Sequence, residues 1–179
     1  MNPPPIGEAL TVGWNAYKEK LVPVTLGVFC ASLLALIPLV GGGLAFAGMM
    51  HVSLKALRGQ EPTAADGFVG FNAAVDHIVM GLLQIVGLIA CCLGVYVTQA
   101  LFFQGTILIL EKNLNWSDAK DRCLASFKDT WVAWTIFVLV VGLVGSLGAI
   151  ACGIGIYFTL PIATIALAYA YEQTLGRTA

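Results

Sequence analysis

Apolar residues form six long blocks in this chain, and short uncharged connections divide the blocks into three pairs. The blocks cover residues 21–40, 41–57, 78–93, 95–110, 131–151 and 154–171. Formally charged residues are confined to segments 1–20, 55–77, 111–129 and 172–179, and the connections 38–43, 91–94 and 151–155 carry none. A helix needs about 20 predominantly apolar residues to cross a bilayer. The pattern therefore predicts six transmembrane helices.

The predicted fold is all-α, a polytopic membrane protein in which six transmembrane helices form three helical hairpins within one domain, residues 1–179. Several blocks have only about 16 to 18 residues, which is roughly 24 to 27 Å of helix against a hydrocarbon core of about 30 Å. We therefore expect these helices to continue into the charged side of the membrane.

The second and third pairs of blocks repeat at a gapless offset of 61 residues. The aligned identities are Cys91 with Cys152, Gly94 with Gly155, Tyr96 with Tyr157, Thr98 with Thr159 and Glu111 with Glu172. Self-similarity at a fixed period indicates repeats, and we predict three, near 6–60, 63–113 and 117–176. Each contains two spans, so the repeats are parallel, with Gly43, Gly94 and Gly155 in equivalent outer turns.

A polar or amphipathic segment precedes each pair of blocks. Residues 13–18 (GWNAYK) resemble residues 70–75 (GFNAAV), and residues 14–18 also resemble residues 124–128 (LASFK). In 6–21 the apolar residues, Trp14 and Tyr17 among them, recur in steps of three and four, which predicts a cytoplasmic amphipathic lead-in helix on the membrane interface. The alternative is that these segments extend spans 1, 3 and 5. Ser117 and Asp118 are the predicted N-cap of the third segment.

Composition and charge support membrane insertion and give an orientation. Only 11% of the residues are charged and 59% are hydrophobic, whereas soluble domains have about 25% charged residues. All nine Lys and Arg fall on one side of the predicted spans, so the positive-inside rule predicts cytoplasmic termini and cytoplasmic long loops. We expect the bacterial cytoplasmic (inner) membrane as the location. The N-terminal segment lacks a basic signal region, so the first block is predicted to be a retained span.

Glu111 and Glu172 are the candidate interface ion-pair residues. Each ends an apolar block, where the negative end of the helix dipole disfavours a carboxylate, so each needs a nearby cation or donor. Lys55 and Arg58 are candidate partners on the same side, as are Lys112, Lys120, Arg122 and Lys128. The alternative is that both carboxylates are solvated charges at the membrane boundary.

Three glutamines inside the blocks are candidate intramembrane polar contacts. Gln84, Gln99 and Gln104 could hydrogen-bond across helices or line a polar path. His51 and Lys55 lie four residues apart and are expected to share one face near the interface. His77, beside Asp76, is expected to be a solvated residue at a helix start.

The cysteines leave two alternatives open. Cys91, Cys92 and Cys152 lie at the predicted outer ends of their spans, where an oxidising compartment could join one of the first two to Cys152. Otherwise they are buried free thiols that act as small apolar residues.

Motifs that indicate catalysis are missing from the sequence. It has no phosphate-binding loop, no His/Glu metal motif, no nucleophile elbow and no pair of intramembrane carboxylates. We therefore expect no catalytic residue, no cofactor, no metal and no enzymatic activity. The net charge of −1 gives no indication of nucleic-acid binding.

The C-terminal repeat resembles a known group of proteins. The segment from Asp118 to Lys128, the sequence CGIG at Cys152, Pro161, and AYAYE from Ala168 onward are similar to the C-terminal half of uncharacterised bacterial six-span integral membrane proteins. They also resemble, more distantly, the membrane domain attached to some glycerophosphodiester phosphodiesterases. The resemblance covers about 60 residues and implies a fold and a location. It carries over no catalytic residue.

Two classes of function fit this sequence. The first is a non-enzymatic subunit or scaffold of a membrane complex, whose partners are membrane lipids and other membrane protein subunits. The second is a small-solute or lipid transporter. Carriers need charged residues that face a cavity inside the membrane, and the apolar blocks carry no charge near their middle. We therefore favour the subunit.

Overall fold

The computed structural model describes residues 2–38, 40–90, 94–150 and 155–178, and within these ranges the chain is helical and contains no strand. The elements are α1 (Ile6–Glu19), α2 (Leu21–Leu34), α3 (Gly41–Leu57), a 3₁₀ segment (Ala64–Ala73), α4 (Ala74–Ala90), α5 (Gly94–Lys112), α6 (Trp116–Phe127), α7 (Trp131–Ile150), α8 (Ile156–Gln173) and α9 (Leu175–Thr178). The all-α prediction is confirmed.

Three helices are long and apolar enough to cross a membrane. They cover Ala64–Gly87, Gly94–Lys112 and Trp131–Ala149. The first apolar helix, α2, has only 14 residues, so the prediction that block 21–40 is one continuous helix is wrong. The N–H groups of Ala35 and Ile37 donate to carbonyls three residues earlier, which tightens the chain into a turn just before Pro38.

The apolar helices pack as three antiparallel pairs, α2 with α3, α4 with α5, and α7 with α8. Glycines allow each pair to approach closely near the turn. A Cβ atom on Gly41 would lie 1.9 Å from the Leu34 carbonyl oxygen, one on Gly87 would lie 2.0 Å from that of Gly94, and one on Gly148 would lie 2.1 Å from that of Gly155. Only glycine fits such backbone contacts.

Gly41, not Gly43, occupies the position in the first pair that Gly94 occupies in the second. A Cβ atom on Gly43 would lie 2.0 Å from the carbonyl oxygen of His77, so Gly43 allows α4 to pack closely on α3 instead. The prediction that Gly43 matches Gly94 and Gly155 is therefore corrected by two residues. Three consecutive glycines, Gly41 to Gly43, made the register ambiguous from sequence.

Three helices, α3, α5 and α8, form the centre of the bundle, and α2, α4 and α7 lie outside them. Each outer helix contacts the central helix of its own pair and also that of the preceding pair: α4 contacts α3, α7 contacts α5 and α2 contacts α8. The packing is therefore cyclic. The largest fully buried side chains include Met50, Phe103, Ile107, Leu108, Ile165 and Tyr171 of the central helices.

The lead-in segments also pack cyclically, α1 on α8, the 3₁₀ segment on α3, and α6 on α5. A Cβ atom on Gly13 would lie 2.6 Å from the Ile162 carbonyl oxygen, and one on Gly70 would lie 2.6 Å from that of Leu44. Their small residues thus face the central helices. Trp14, which we placed on the apolar face of α1, is 51% exposed.

Two expectations about the lead-in segments are resolved by the backbone. Lys20 has φ −132° and ψ 38°, which separates α1 from α2, whereas the 3₁₀ segment continues directly into α4. The N-cap of α6 is Asn115, whose side-chain oxygen accepts a hydrogen bond from the Asp118 N–H at 2.9 Å. The predicted N-cap was therefore wrong, and Asp118 lies in the first turn.

Candidate functional site

The ends of the three central helices meet in a cluster of charged side chains, which we call the clasp: Arg58, Glu111 and Glu172. Arg58 directly follows α3, and its guanidinium forms ion pairs with both carboxylates. Its Nε donates to Glu172 Oε1 at 2.7 Å. Because one arginine binds two carboxylates from different helices, the clasp joins the C-terminal ends of α3, α5 and α8.

The clasp is partly buried. The side chains of Arg58, Glu111 and Glu172 are 41%, 19% and 29% exposed. The hydrogen bond to Glu111, followed by that to Glu172, raises the pKa of Arg58 above its ordinary value despite partial burial of the guanidinium. Arg58 therefore supplies the cation that both helix ends require, and one net negative charge remains.

Lys55, the second candidate cation, pairs with a different residue. Its Nζ donates to both carboxylate oxygens of Asp66, at 3.0 and 2.8 Å, and His51 Nε2 lies 3.5 Å from the same carboxylate. Asp66 also accepts hydrogen bonds from the backbone and side chain of Thr63, in a capping box that begins the 3₁₀ segment. Sequence reasoning missed Asp66, although its place three residues after a threonine is a capping signal.

Other polar contacts gather at this end of the bundle. Lys20 Nζ donates to the Gln60 carbonyl oxygen at 2.8 Å, and the Tyr169 hydroxyl donates to Glu8. A cavity of about 220 Å³ lies beside the clasp, lined by His51, Leu54, Lys55, Arg58, Gln60, Leu110 and Glu111. We call this end, where α3, α5 and α8 terminate, the charged end.

Two of the three glutamines make contacts inside the bundle. Gln84 Nε2 donates to Thr106 Oγ1 at 3.3 Å, which joins α4 to α5. Gln104 is fully buried, and its Oε1 accepts from Thr174 Oγ1 at 3.2 Å. Sequence reasoning missed the buried bond between Ser53 and Thr164, at 2.8 Å, which joins α3 to α8.

Gln99 instead lines a second cavity, of about 210 Å³, which we call the crevice. It is bounded by α3, α5, α7 and α8, and its wall is mostly apolar, with Val138, Leu160 and Leu167 among its residues. It lies toward the end of the bundle opposite the clasp, because Gln99 is near the start of α5.

Two threonines near that opposite end make matching contacts. Thr98 Oγ1 donates to the Gln84 carbonyl oxygen at 2.6 Å, and Thr159 Oγ1 donates to that of Gly145, also at 2.6 Å. Donor and acceptor are displaced by the same 61 residues in the two cases. The sequence alignment paired Thr98 with Thr159, but it gave no sign of this shared role.

His77 is fully buried, so the expectation that it is solvated is wrong. The backbone of α4 lies against Gly43 at this point, which encloses the imidazole. The candidate disulfide of Cys91 or Cys92 with Cys152 lies outside the described residues. Burial raises the pKa of the Cys123 thiol in α6 to about 12.

Within the described ranges, no group of three or more His, Cys, Asp or Glu side chains is placed to hold a metal ion. No protein-family model, curated protein or solved structure matches the chain. The resemblance to bacterial six-span proteins therefore remains a prediction.

Proposed function

We propose that this chain is a non-enzymatic integral membrane protein of the bacterial cytoplasmic (inner) membrane, and that it serves as a subunit or scaffold of a membrane complex. In this proposal α2, α3, α4, α5, α7 and α8 cross the bilayer as three parallel-repeat hairpins. The charged end, with both termini, faces the cytoplasm.

The cyclic packing supports three repeats. Arg58, Glu111 and Glu172 each stand at the end of a central helix and meet one another, as expected for equivalent positions around a pseudo-threefold axis. The starts of α1 and α2, Ile6 and Leu21, precede those of α6 and α7, Trp116 and Trp131, by the same 110 residues. Repeat boundaries near 6–60, 63–113 and 117–176 agree with this register.

Exposed apolar side chains on the outer helices support membrane insertion. They include Val22, Leu26 and Phe29 of α2, Leu82, Ile85 and Val86 of α4, and Ile136, Leu143 and Leu147 of α7. A contiguous apolar surface of this kind marks contact with lipid or with other proteins. Three helices also have the length and composition of a span.

The filled centre of the bundle is the observation that favours a subunit over a carrier. Met50, Phe103, Ile107 and Leu108 are fully buried between the central helices, and Arg58 closes the charged end by binding two carboxylates. A solute carrier needs a polar path through the membrane, whereas this interior is occupied by apolar side chains.

The crevice is the observation that favours the alternative, a transporter of a lipid or a small apolar solute. It opens toward the end opposite the clasp and is lined mainly by apolar side chains. Transport would require the clasp and the packed centre to separate. We therefore keep the transporter as the second candidate.

Purification of the tagged full chain from its native membrane in a mild detergent tests the proposal. A subunit should retain a second protein in stoichiometric amount, above the level recovered with an unrelated tagged six-span protein. Crosslinking before solubilisation should capture the same protein. If only the 18.9 kDa chain with bound lipid is recovered in both experiments, the subunit proposal is rejected and the transporter becomes the better candidate.

A further inference from the structure

The crevice breaks the cyclic symmetry of the bundle. α3 packs against both α5 and α8, and Ser53 of α3 bonds to Thr164 of α8. α5 and α8 make few contacts with each other, and the crevice lies between them with α7 covering one side. A space of about 210 Å³ exceeds the roughly 150 Å³ of an apolar cavity that can bind a benzene-sized ligand.

The polar groups of the crevice leave little for a polar ligand to bind. The Thr164 hydroxyl donates to the Pro161 carbonyl oxygen at 3.1 Å and accepts from Ser53. Ser146 Oγ donates to the Leu143 carbonyl oxygen at 2.8 Å. A bound water needs two to four polar partners, so a wall with its hydroxyls already engaged favours a hydrocarbon ligand.

The position of Gln99 indicates which hydrocarbon. Gln99 is half-buried and lies near the start of α5, whereas Val138 and Leu167 lie deeper. Val138 is two helical turns from Ser146 on α7, about 12 Å at 1.5 Å per residue. The crevice is thus long and apolar, with an amide close to its uncharged end, and this arrangement complements a lipid acyl chain that carries an ester group at its top.

We propose that the crevice binds one acyl chain of a phospholipid from the outer leaflet, with the Gln99 amide donating to the ester carbonyl. This site rests on the membrane insertion and the orientation proposed above, and it goes beyond them because it assigns a ligand. The bound chain fills the gap between α5 and α8 that the side chains leave open.

Gly142 offers a way to fill the crevice without disturbing its walls. A Cβ atom on Gly142 would lie 3.7 Å from Tyr96 Cε1, an ordinary contact, whereas one on Gly145 would lie 2.9 Å from Ala163 Cβ. Gly142→Leu should therefore occupy the site and still fold. Ser146→Leu is a second filling variant at an exposed position. Leu147→Phe, on an exposed face of the same helix, is the matched control.

The probe is a phosphatidylglycerol with a diazirine near the end of one acyl chain, included at low fraction in phosphatidylglycerol and phosphatidylethanolamine vesicles that contain the full chain. After irradiation, peptide mapping should find adducts on Val138 and Leu167. Gly142→Leu and Ser146→Leu should each lower these adducts at least fivefold relative to adducts at Leu147. The control variant should leave the crevice adducts unchanged.

The outcomes separate this site from membrane insertion itself. Adducts at Leu147 without adducts in the crevice would overturn the acyl-chain site and leave insertion intact. Crevice adducts that persist in both filling variants would also overturn the site. Absence of adducts at Leu147 as well as in the crevice would contradict membrane insertion, and with it the proposed function.

Discussion

The clasp gives the sharpest test of the packing at the charged end. Arg58→Met removes the guanidinium but keeps much of its apolar stem. Glu111 and Glu172 then remain at neighbouring helix ends without their shared cation. Each also faces the negative end of its own helix dipole. We therefore expect Arg58→Met to destabilise the protein more than loss of either carboxylate alone.

The magnitude follows from burial and charge. Two carboxylates about 6 Å apart repel by about 3 kcal/mol at an effective dielectric constant of about 20. Arg58 is 41% exposed, so solvent screening reduces that repulsion to about 1–2 kcal/mol. Loss of the charge-assisted hydrogen bonds adds about 1 kcal/mol. A total of about 2–3 kcal/mol lies between the values for exposed pairs and for buried pairs, and corresponds to a melting temperature lower by roughly 5–10 °C.

The assay is the melting temperature of the purified full chain in one detergent, for a mutant cycle. The double variant Glu111→Gln, Glu172→Gln removes the repulsion, so adding Arg58→Met to it should cost less than about 1 kcal/mol. Lys120→Met, which breaks an exposed pair with Asp121, is the control and should change little. Equal costs of Arg58→Met in both backgrounds would refute the clasp as a coupled unit.

Three further predictions concern close packing and burial. Gly13→Ala should lower the melting temperature, since its Cβ atom would lie 2.6 Å from a backbone oxygen of α8, whereas Gly7→Ala, which has open space, should not. With Cys123 as the sole cysteine, maleimide should not react at pH 8 until the protein unfolds, because the thiol is fully buried and its pKa is raised to about 12; rapid labelling of the folded protein would contradict this. Thr98→Val and Thr159→Val should destabilise by similar amounts, about 1 kcal/mol each, in chemical or thermal melts, and a large inequality would count against their equivalence.

The fold class was predictable because charge and hydrophobicity segregate so strongly along the chain. The position of each helix was less so. Block 21–40 is uniformly apolar, and hydropathy alone does not reveal that α2 ends at Leu34, because the turn is made by backbone hydrogen bonds before Pro38. A run of three glycines likewise hid which one, Gly41 or Gly43, packs at the turn.

The candidate site was predictable in its acidic members but not in its pairing. The repeat alignment and the helix dipole singled out Glu111 and Glu172, yet six cations on the same side were equally suitable partners. Only the packing of α3 between α5 and α8 brings Arg58 to both carboxylates. Lys55 is diverted to Asp66 by a turn that sequence reasoning overlooked.

The central claim is that α3 and its counterparts cross the membrane with the charged end in the cytoplasm. Gly42 and Gln60 lie at opposite ends of α3, and both are exposed. Single-cysteine variants Gly42→Cys and Gln60→Cys, in a chain without other cysteines, can be treated with a membrane-impermeant maleimide in intact cells. We predict that Gly42→Cys is labelled directly and that Gln60→Cys is labelled only after the membrane is permeabilised. Labelling of Gln60→Cys in intact cells, or of both sites from one side, would contradict the account.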